Sequence, residues 1–167
     1  MPIQSFAAEQ GSAPKILVLG SIPGIASLNA QQYYAHPRNA FWLIMSSYFG
    51  FDVDAPYLQR LESLLGNNVA LWDVLGQAER KGSLDSAIVS SSQVVNSIDK
   101  FAQAYPSLKA IFLNGGKATT SFKKVFSSSS AFDGIEVVSL PSTSPAYAAM
   151  KPEIKMQIWH QALSKFV

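Results

Sequence analysis

The sequence predicts an α/β fold: a three-layer α/β/α sandwich around a central, mostly parallel, four-stranded sheet. Three observations carry that expectation. Four short runs rich in apolar residues, Lys15–Gly20, Val69–Trp72, Ala110–Leu113 and Glu136–Leu140, have the length of buried strands. Amphipathic segments alternate with them, the order that builds a parallel sheet through right-handed crossovers. The unusual loops, GSIPG, the Asp after Trp72, NGGK and PSTSPA, each follow the carboxyl end of a strand, where open α/β sheets bind ligands.

The elements follow in order. Residues 1–14 are small and polar and read as a flexible N-terminal arm, leaving 15–167 as a single domain. Lys15–Gly20 is the first strand, and the stretch from Gly20 to Trp42 is one long polar-aromatic loop. Asn39 caps a helix bearing Phe41, Trp42, Ile44, Met45, Tyr48 and Phe49, which stops near Gly50. Pro56 opens a second helix with Leu58, Leu61, Leu64 and Leu65 on one face. After the second strand, Val74 to Ser92 is polar and reads as a loop. Ile98, Phe101, Ala102 and Tyr105 mark another helix, and a further one runs from about Ala118 to Phe126. Pro152 opens the last, with Ile154, Ile158, Trp159, Ala162, Leu163 and Phe166 buried.

Composition narrows the function. The 167 residues, 48% apolar and 14% charged, suit one domain with a substantial core. With no Cys there is no disulfide, thiolate metal site or cysteine nucleophile, and two histidines, His36 and His160, do not build a metal centre. No metal or cofactor is expected. No apolar run reaches the roughly 20 residues of a membrane helix and no secretory leader is visible, so a cytoplasmic protein without membrane contact is expected. A net charge of +2 does not announce a nucleic-acid binder. The pI of about 8.8 permits a local basic face.

The chemistry-bearing residues sit in the strand-end loops. Gly20-Ser21-Ile22-Pro23-Gly24 lets backbone amides approach a ligand, or simply turns the chain. It has neither the dinucleotide-binding glycine spacing nor a P-loop lysine, and no nucleophile elbow occurs elsewhere. Tyr33 and Tyr34, then His36, Arg38 and Asn39, follow in the same loop. Lys117, after Gly115-Gly116, meets phosphate or is merely solvated.

Taken together, GSIPG, YYAHPRNAFW and LPSTSPA resemble motifs of the uracil-DNA glycosylase superfamily. YAHPRNAFW is similar to the A-H-P-x-N-x-F-W segment of the mismatch-specific uracil-DNA glycosylases. With LWDVL and GSLDSAI added, the set most resembles the hypoxanthine-DNA glycosylase branch, over Lys15 to about Ala149. The sequence departs from the wider superfamily at two places. Ile22 stands where the mismatch-specific branch has a water-positioning Asn, and Leu140 where most branches carry a His or Asn that stabilises the departing base.

The resemblance implies a base pocket formed by Gly20 to Gly24, Tyr34, Phe41 and Leu140. It makes Asn39, His36 and Asp73 the catalytic candidates: Asn39 for water or base unless it only caps its helix, Asp73 for the N1-H of hypoxanthine unless it only caps a turn. Tyr34 matches the aromatic on which the flipped base stacks, or is plain core. Ser142, Thr143, Ser144, Tyr147 and Lys117 are the candidate DNA contacts. The implied activity is monofunctional hydrolysis of the N-glycosidic bond of hypoxanthine in base excision repair, by a monomer acting on double-stranded DNA, with single-stranded DNA a further candidate. A uracil-DNA glycosylase and a catalytically silent DNA-binding domain are the alternatives.

Overall fold

The computed structural model describes residues 2–167. Its strands are β1 (Ile3–Gln4), β2 (Ile16–Gly20), β3 (Val69–Asp73), β4 (Leu75–Ala78), β5 (Val94–Val95), β6 (Ala110–Asn114) and β7 (Glu136–Leu140). Its helices are α1 (Ile25–Ala30), α2 (Phe41–Phe49), α3 (Tyr57–Gly66), α4 (Ile98–Ala104), α5 (Gly116–Phe126) and α6 (Pro152–Ser164). The main sheet has the order β3-β2-β6-β7, with every pairing parallel.

Period-two alternation divides β2 and β6 between two cores. Leu17, Leu19, Ile111 and Leu113 pack against Ile98 and Phe101 of α4 and Phe122 and Phe126 of α5. Ile16, Val18, Ala110 and Phe112 face the opposite way, onto Ile44 and Met45 of α2, Leu64 of α3 and Trp159 and Leu163 of α6. Helices on both faces give the three expected layers, and both central strands are buried throughout.

Three departures from the expected elements shape the site. First, the described part of the N-terminal segment is not a loose arm. β1 pairs antiparallel with β4, and Glu9 exchanges two backbone hydrogen bonds of 2.9 Å with Leu71, covering the otherwise open edge of β3. Second, the polar stretch after Asp73 contains β4, so β1, β4 and β5 form a small antiparallel sheet. Leu75-Gly-Gln-Ala lacks the β-branched residues that signal a strand; Gly76 is there because a Cβ would lie 2.5 Å from Asn96 Oδ1. Third, the long loop holds α1, a six-residue helix closed by Gln31 in the left-handed region.

Two helix faces also need correction. Leu58 is 75% exposed because α3 turns Leu61 and Leu64 inward instead. Ile154 is exposed in α6, and Lys155 takes the buried place beside it.

Candidate active site

The carboxyl ends of the parallel strands deliver Gly20, Asp73, Asn114 and Leu140 to one cleft of about 1150 Å³. Gly20, Ser21, Ile22, Pro23 and Gly24 form one wall, and Tyr34, His36 and Asn39 also line the cleft. Gly20 leaves this point open: a Cβ there would lie 2.6 Å from Asp73 Oδ1 and 3.2 Å from the Tyr34 hydroxyl. Three chemically different groups thus converge on one point at the cleft floor.

Asp73 is 4% exposed, and its buried Oδ2 has no hydrogen-bond partner. Burial first, and then the negative charge of Asp85, raise its pKa from 3.8 to about 7. The Tyr34 hydroxyl is likewise buried and unpartnered. Burial and then the Asp73 charge raise its pKa, while the Asn114 amide pulls the other way without reaching hydrogen-bond geometry. Tyr34 therefore stays a neutral donor. Buried polar groups left without partners inside a cleft are a mark of a ligand site.

The backbone of Tyr34 is held at φ 58°, a left-handed conformation that costs a non-glycine residue on the order of 1 kcal/mol. Its ring stacks on Phe41 with centroids 4.1 Å apart and 23° between planes. Phe41 is wholly buried behind that ring and does not line the cleft, so its expected place in the pocket becomes one of support. Tyr33 is core: its hydroxyl donates to the Ala7 carbonyl at 2.8 Å, and its own carbonyl accepts from Trp42 Nε1 at 2.9 Å.

His36 and Asn39 close a tight turn on each other. The Arg38 amide donates to His36 Nδ1 at 3.1 Å, and the Asn39 amide to the His36 carbonyl at 2.9 Å. The N-cap of α2 is Ala40 and not the expected Asn39, which lies one residue earlier; its Oδ1 accepts from the Phe41 amide at 3.0 Å and so still satisfies one free N–H at the head of the helix. Its Nδ2 and the second nitrogen of His36 remain as donors to the cleft.

The opposite wall is the loop after β7. Asn114 clamps it through two 3.0 Å bonds, Nδ2 donating to Thr143 Oγ1 and Oδ1 accepting from the Thr143 amide. Trp159 Nε1 donates to the Pro141 carbonyl at 2.9 Å, and the buried Lys155 donates from Nζ to the Ser144 carbonyl at 3.2 Å. Lys155 also stands 5.1 Å from the Tyr147 ring centroid, a cation–π contact that steadies an exposed aromatic at the rim. Thr143 is almost fully buried with its hydroxyl engaged, which makes it a latch in place of the expected surface contact. Ser142 and Ser144 stay half-buried on the cleft wall. Lys117 lies on α5 outside the cleft lining and does not join the site.

A strap from Arg80 to Ser86 covers the Gly20–Gly24 turn. The buried Arg80 donates from Nη2 to the Pro23 carbonyl and from Nε to the Gly82 carbonyl, each at 2.7 Å. Burial works against its charge and Asp85 supports it. The Ile25 amide donates to Ser83 Oγ at 2.9 Å, and Ser21 Oγ to Asp85 Oδ1 at 2.7 Å. No three His, Asp or Glu side chains gather into a metal-binding group among the described residues.

Of the residues singled out from sequence, the cleft brings together Gly20 to Gly24, Tyr34, His36, Asn39, Asp73, Leu140, Ser142, Thr143, Ser144 and Tyr147. Sequence reasoning missed Asn114 and the strap. Asn114 had a signal, a polar amide closing an apolar strand directly before two glycines. The strap had none beyond the GSLDSAI segment, whose polar residues look like solvated loop.

The comparisons agree with this geometry. The family model described as the uracil DNA glycosylase superfamily matches residues 8–163. A protein named hypoxanthine DNA glycosylase from Methanosarcina barkeri is 36% identical over 71% of this chain and 74% of its own. A second of that name, from Methanosarcina acetivorans, is 35% identical over 69% of this chain and 72% of its own. The solution structure of a candidate uracil DNA glycosylase from Methanosarcina acetivorans superposes with a TM-score of 0.79 at 30% identity, covering 98% of this chain and 99% of that one. A cleft at the carboxyl edge of a four-stranded parallel sheet, walled by the two loops that carry the outer motifs, is where such a likeness has to hold, and the chain belongs to the uracil DNA glycosylase superfamily.

Proposed function

We propose that the chain is a monofunctional DNA glycosylase that extrudes hypoxanthine from DNA into this cleft and hydrolyses its N-glycosidic bond. The observation that carries this is the unpartnered pair at the cleft floor, the Asp73 carboxyl and the Tyr34 hydroxyl, side by side over Gly20. The two relatives named hypoxanthine DNA glycosylase support the choice of base.

Each wall has a role in that reaction. An ionised Asp73 accepts from N1-H of the flipped base. The exposed side of Tyr34, stiffened from behind by Phe41, offers the face on which the base stacks, worth about 1–3 kcal/mol. Asn39 Nδ2 and the free nitrogen of His36 donate to the departing base or to water. Ser142, Ser144 and Tyr147 meet the backbone beside the flipped nucleotide on double-stranded DNA, with single-stranded DNA also a substrate. Ile22 and Leu140, both buried, keep the pocket dry, so donors act in a low-dielectric site. Extrusion costs a few kcal/mol, least at a mispair such as hypoxanthine opposite T.

The test is incubation of the purified protein with duplexes holding hypoxanthine, uracil or xanthine, followed by alkali. Strand breaks at hypoxanthine are expected, and none at any base would remove the glycosylase reading. Asp73→Ala and Asn39→Ala should each lower hypoxanthine release by on the order of a hundredfold. Uracil is the second reading because its N3-H and O4 present the same donor and acceptor order to Asp73 as N1-H and O6 of hypoxanthine. Faster release of uracil than of hypoxanthine in the same panel would make it the first.

A further inference from the structure

The cleft has a second carboxylate, Asp85, which none of the roles above uses. It reaches the site from the strap and not from any strand-end loop. Glycosidic hydrolysis needs an acceptor for the proton of the attacking water and negative charge near an oxocarbenium-like sugar. Apart from serine and threonine hydroxyls, which are poor bases, the side-chain acceptors lining this cleft are few. Asn39 Oδ1 is committed to the Phe41 amide, His36 Nδ1 to the Arg38 amide, and Asn114 Oδ1 to the Thr143 amide. Asp73 lies at the buried floor beside Tyr34. Position 22 of the turn, an apolar isoleucine, supplies nothing.

Asp85 is different in each respect. Ser21, one residue before Ile22, donates to its Oδ1 at 2.7 Å, which leaves Oδ2 for a further partner. The residue is solvent-exposed and lines the cleft, so water and a sugar can reach it. It is fixed without being buried: Arg80 holds the strap to the Pro23 carbonyl, and Ser83 holds it to the Ile25 amide. Its negative charge also helps to raise the pKa of Asp73 across the same cleft.

We infer that Asp85, aimed by Ser21, is the carboxylate that binds and deprotonates the hydrolytic water. In the step, a water oxygen bonds to C1′ as the C1′–N9 bond breaks and its electron pair leaves with the base. The water proton passes to Asp85 Oδ2, and the departing hypoxanthine anion regains a proton from solvent. Asp85 then releases its own, so the net change is one water consumed. Ser21 is the positioning residue, and the polar water ligand that the turn lacks at Ile22 arrives from another loop.

This inference rests on the glycosylase reading, and the experiment separates the two. Single-turnover base release from a hypoxanthine duplex is measured for the wild type, Asp85→Asn and Ser21→Ala, alongside binding to the same duplex with a non-hydrolysable 2′-fluoro nucleotide and thermal melting. Asp85→Asn retains an acceptor for Ser21, so the strap stays tied. Its rate is expected to fall by about 10²–10⁴ with affinity within threefold of wild type. Ser21→Ala, which leaves the carboxylate charged but unaimed, should lose about tenfold in rate with no change in affinity. An Asp85→Asn rate within tenfold of wild type, or equal losses of rate and affinity in both variants, overturns the inference. A wild-type protein that releases no base removes the glycosylase reading itself.

Discussion

Asp73 shows how one residue couples stability to function. Its pKa lies near 3.8 in an unfolded chain and about 7 in the fold, chiefly through burial. The folded protein therefore holds this proton more tightly than the unfolded chain does. The contribution to stability is full below about pH 3.8 and is lost as pH rises to about 7. Above that, the ionised buried carboxylate costs at most roughly 4 kcal/mol. Asp73→Asn removes the titration at nearly constant volume. It should melt higher than wild type at pH 8, by a margin that shrinks towards pH 4, while base release falls. Thermal melts across that range check it, and a wild type at least as stable as the variant at pH 8 would contradict the assignment. Gly20 is the steric counterpart. The methyl of Gly20→Ala would meet Asp73 Oδ1 and the Tyr34 hydroxyl; the carboxylate can rotate and the hydroxyl, at 3.2 Å, need give only a few tenths of an ångström, so the fold should survive. Displacing both groups should still lower base release by about a hundredfold, read as a rate at unchanged melting temperature.

At the scale of elements, the latch between β6 and the loop after β7 decides how firmly the DNA-facing wall is held. Thr143→Val keeps the shape of the side chain, removes Oγ1 and leaves Asn114 Nδ2 without its buried partner. The expected cost is about 1–3 kcal/mol in denaturant unfolding. Duplex affinity should fall with it, because Ser142 and Ser144 flank the latch. Retention of both would show that Trp159 and Lys155 alone hold the loop. Three of the four parallel strands were legible because they are short apolar runs buried on nearly every residue, while β7, an edge strand exposed at Glu136, Val137 and Ser139, was legible from its paired valines; the cleft followed from what ended each run. β4 was not legible, since Leu75-Gly-Gln-Ala carries no strand propensity and is held by pairing with β1 and β5. Nor was α1, whose six residues follow Pro23-Gly24 and look like a continuation of the turn. Thr143 and Phe41 were drawn into the site for their place in a motif, yet their side chains serve the wall from behind. The strap escaped because its meaning is tertiary: Arg80, Ser83 and Asp85 act on Pro23, Ile25 and Ser21, about sixty residues away.

At the scale of the whole molecule, the N-terminal segment joins sheet, core and cleft. Glu9 caps the edge of β3, Ala7 accepts from Tyr33, the Phe6 carbonyl accepts from Trp72 Nε1, and the Phe6 ring packs on Tyr33 and lines the cleft. Deleting residues 2–9 should therefore do three separable things. Lost burial of Phe6 and the lost hydrogen bonds should lower stability by roughly 2–4 kcal/mol. The bared edge of β3 should promote strand pairing between copies, visible as concentration-dependent light scattering. Tyr33, robbed of its acceptor, should loosen the turn that holds Tyr34 in its left-handed backbone, so base release should fall further than the stability loss explains. Replacing Phe6 by Ala in the full chain separates these effects: it should reproduce part of the first and third and none of the second. A deletion that leaves melting, scattering and base release unchanged would show that the segment is a bystander to the sheet and the cleft.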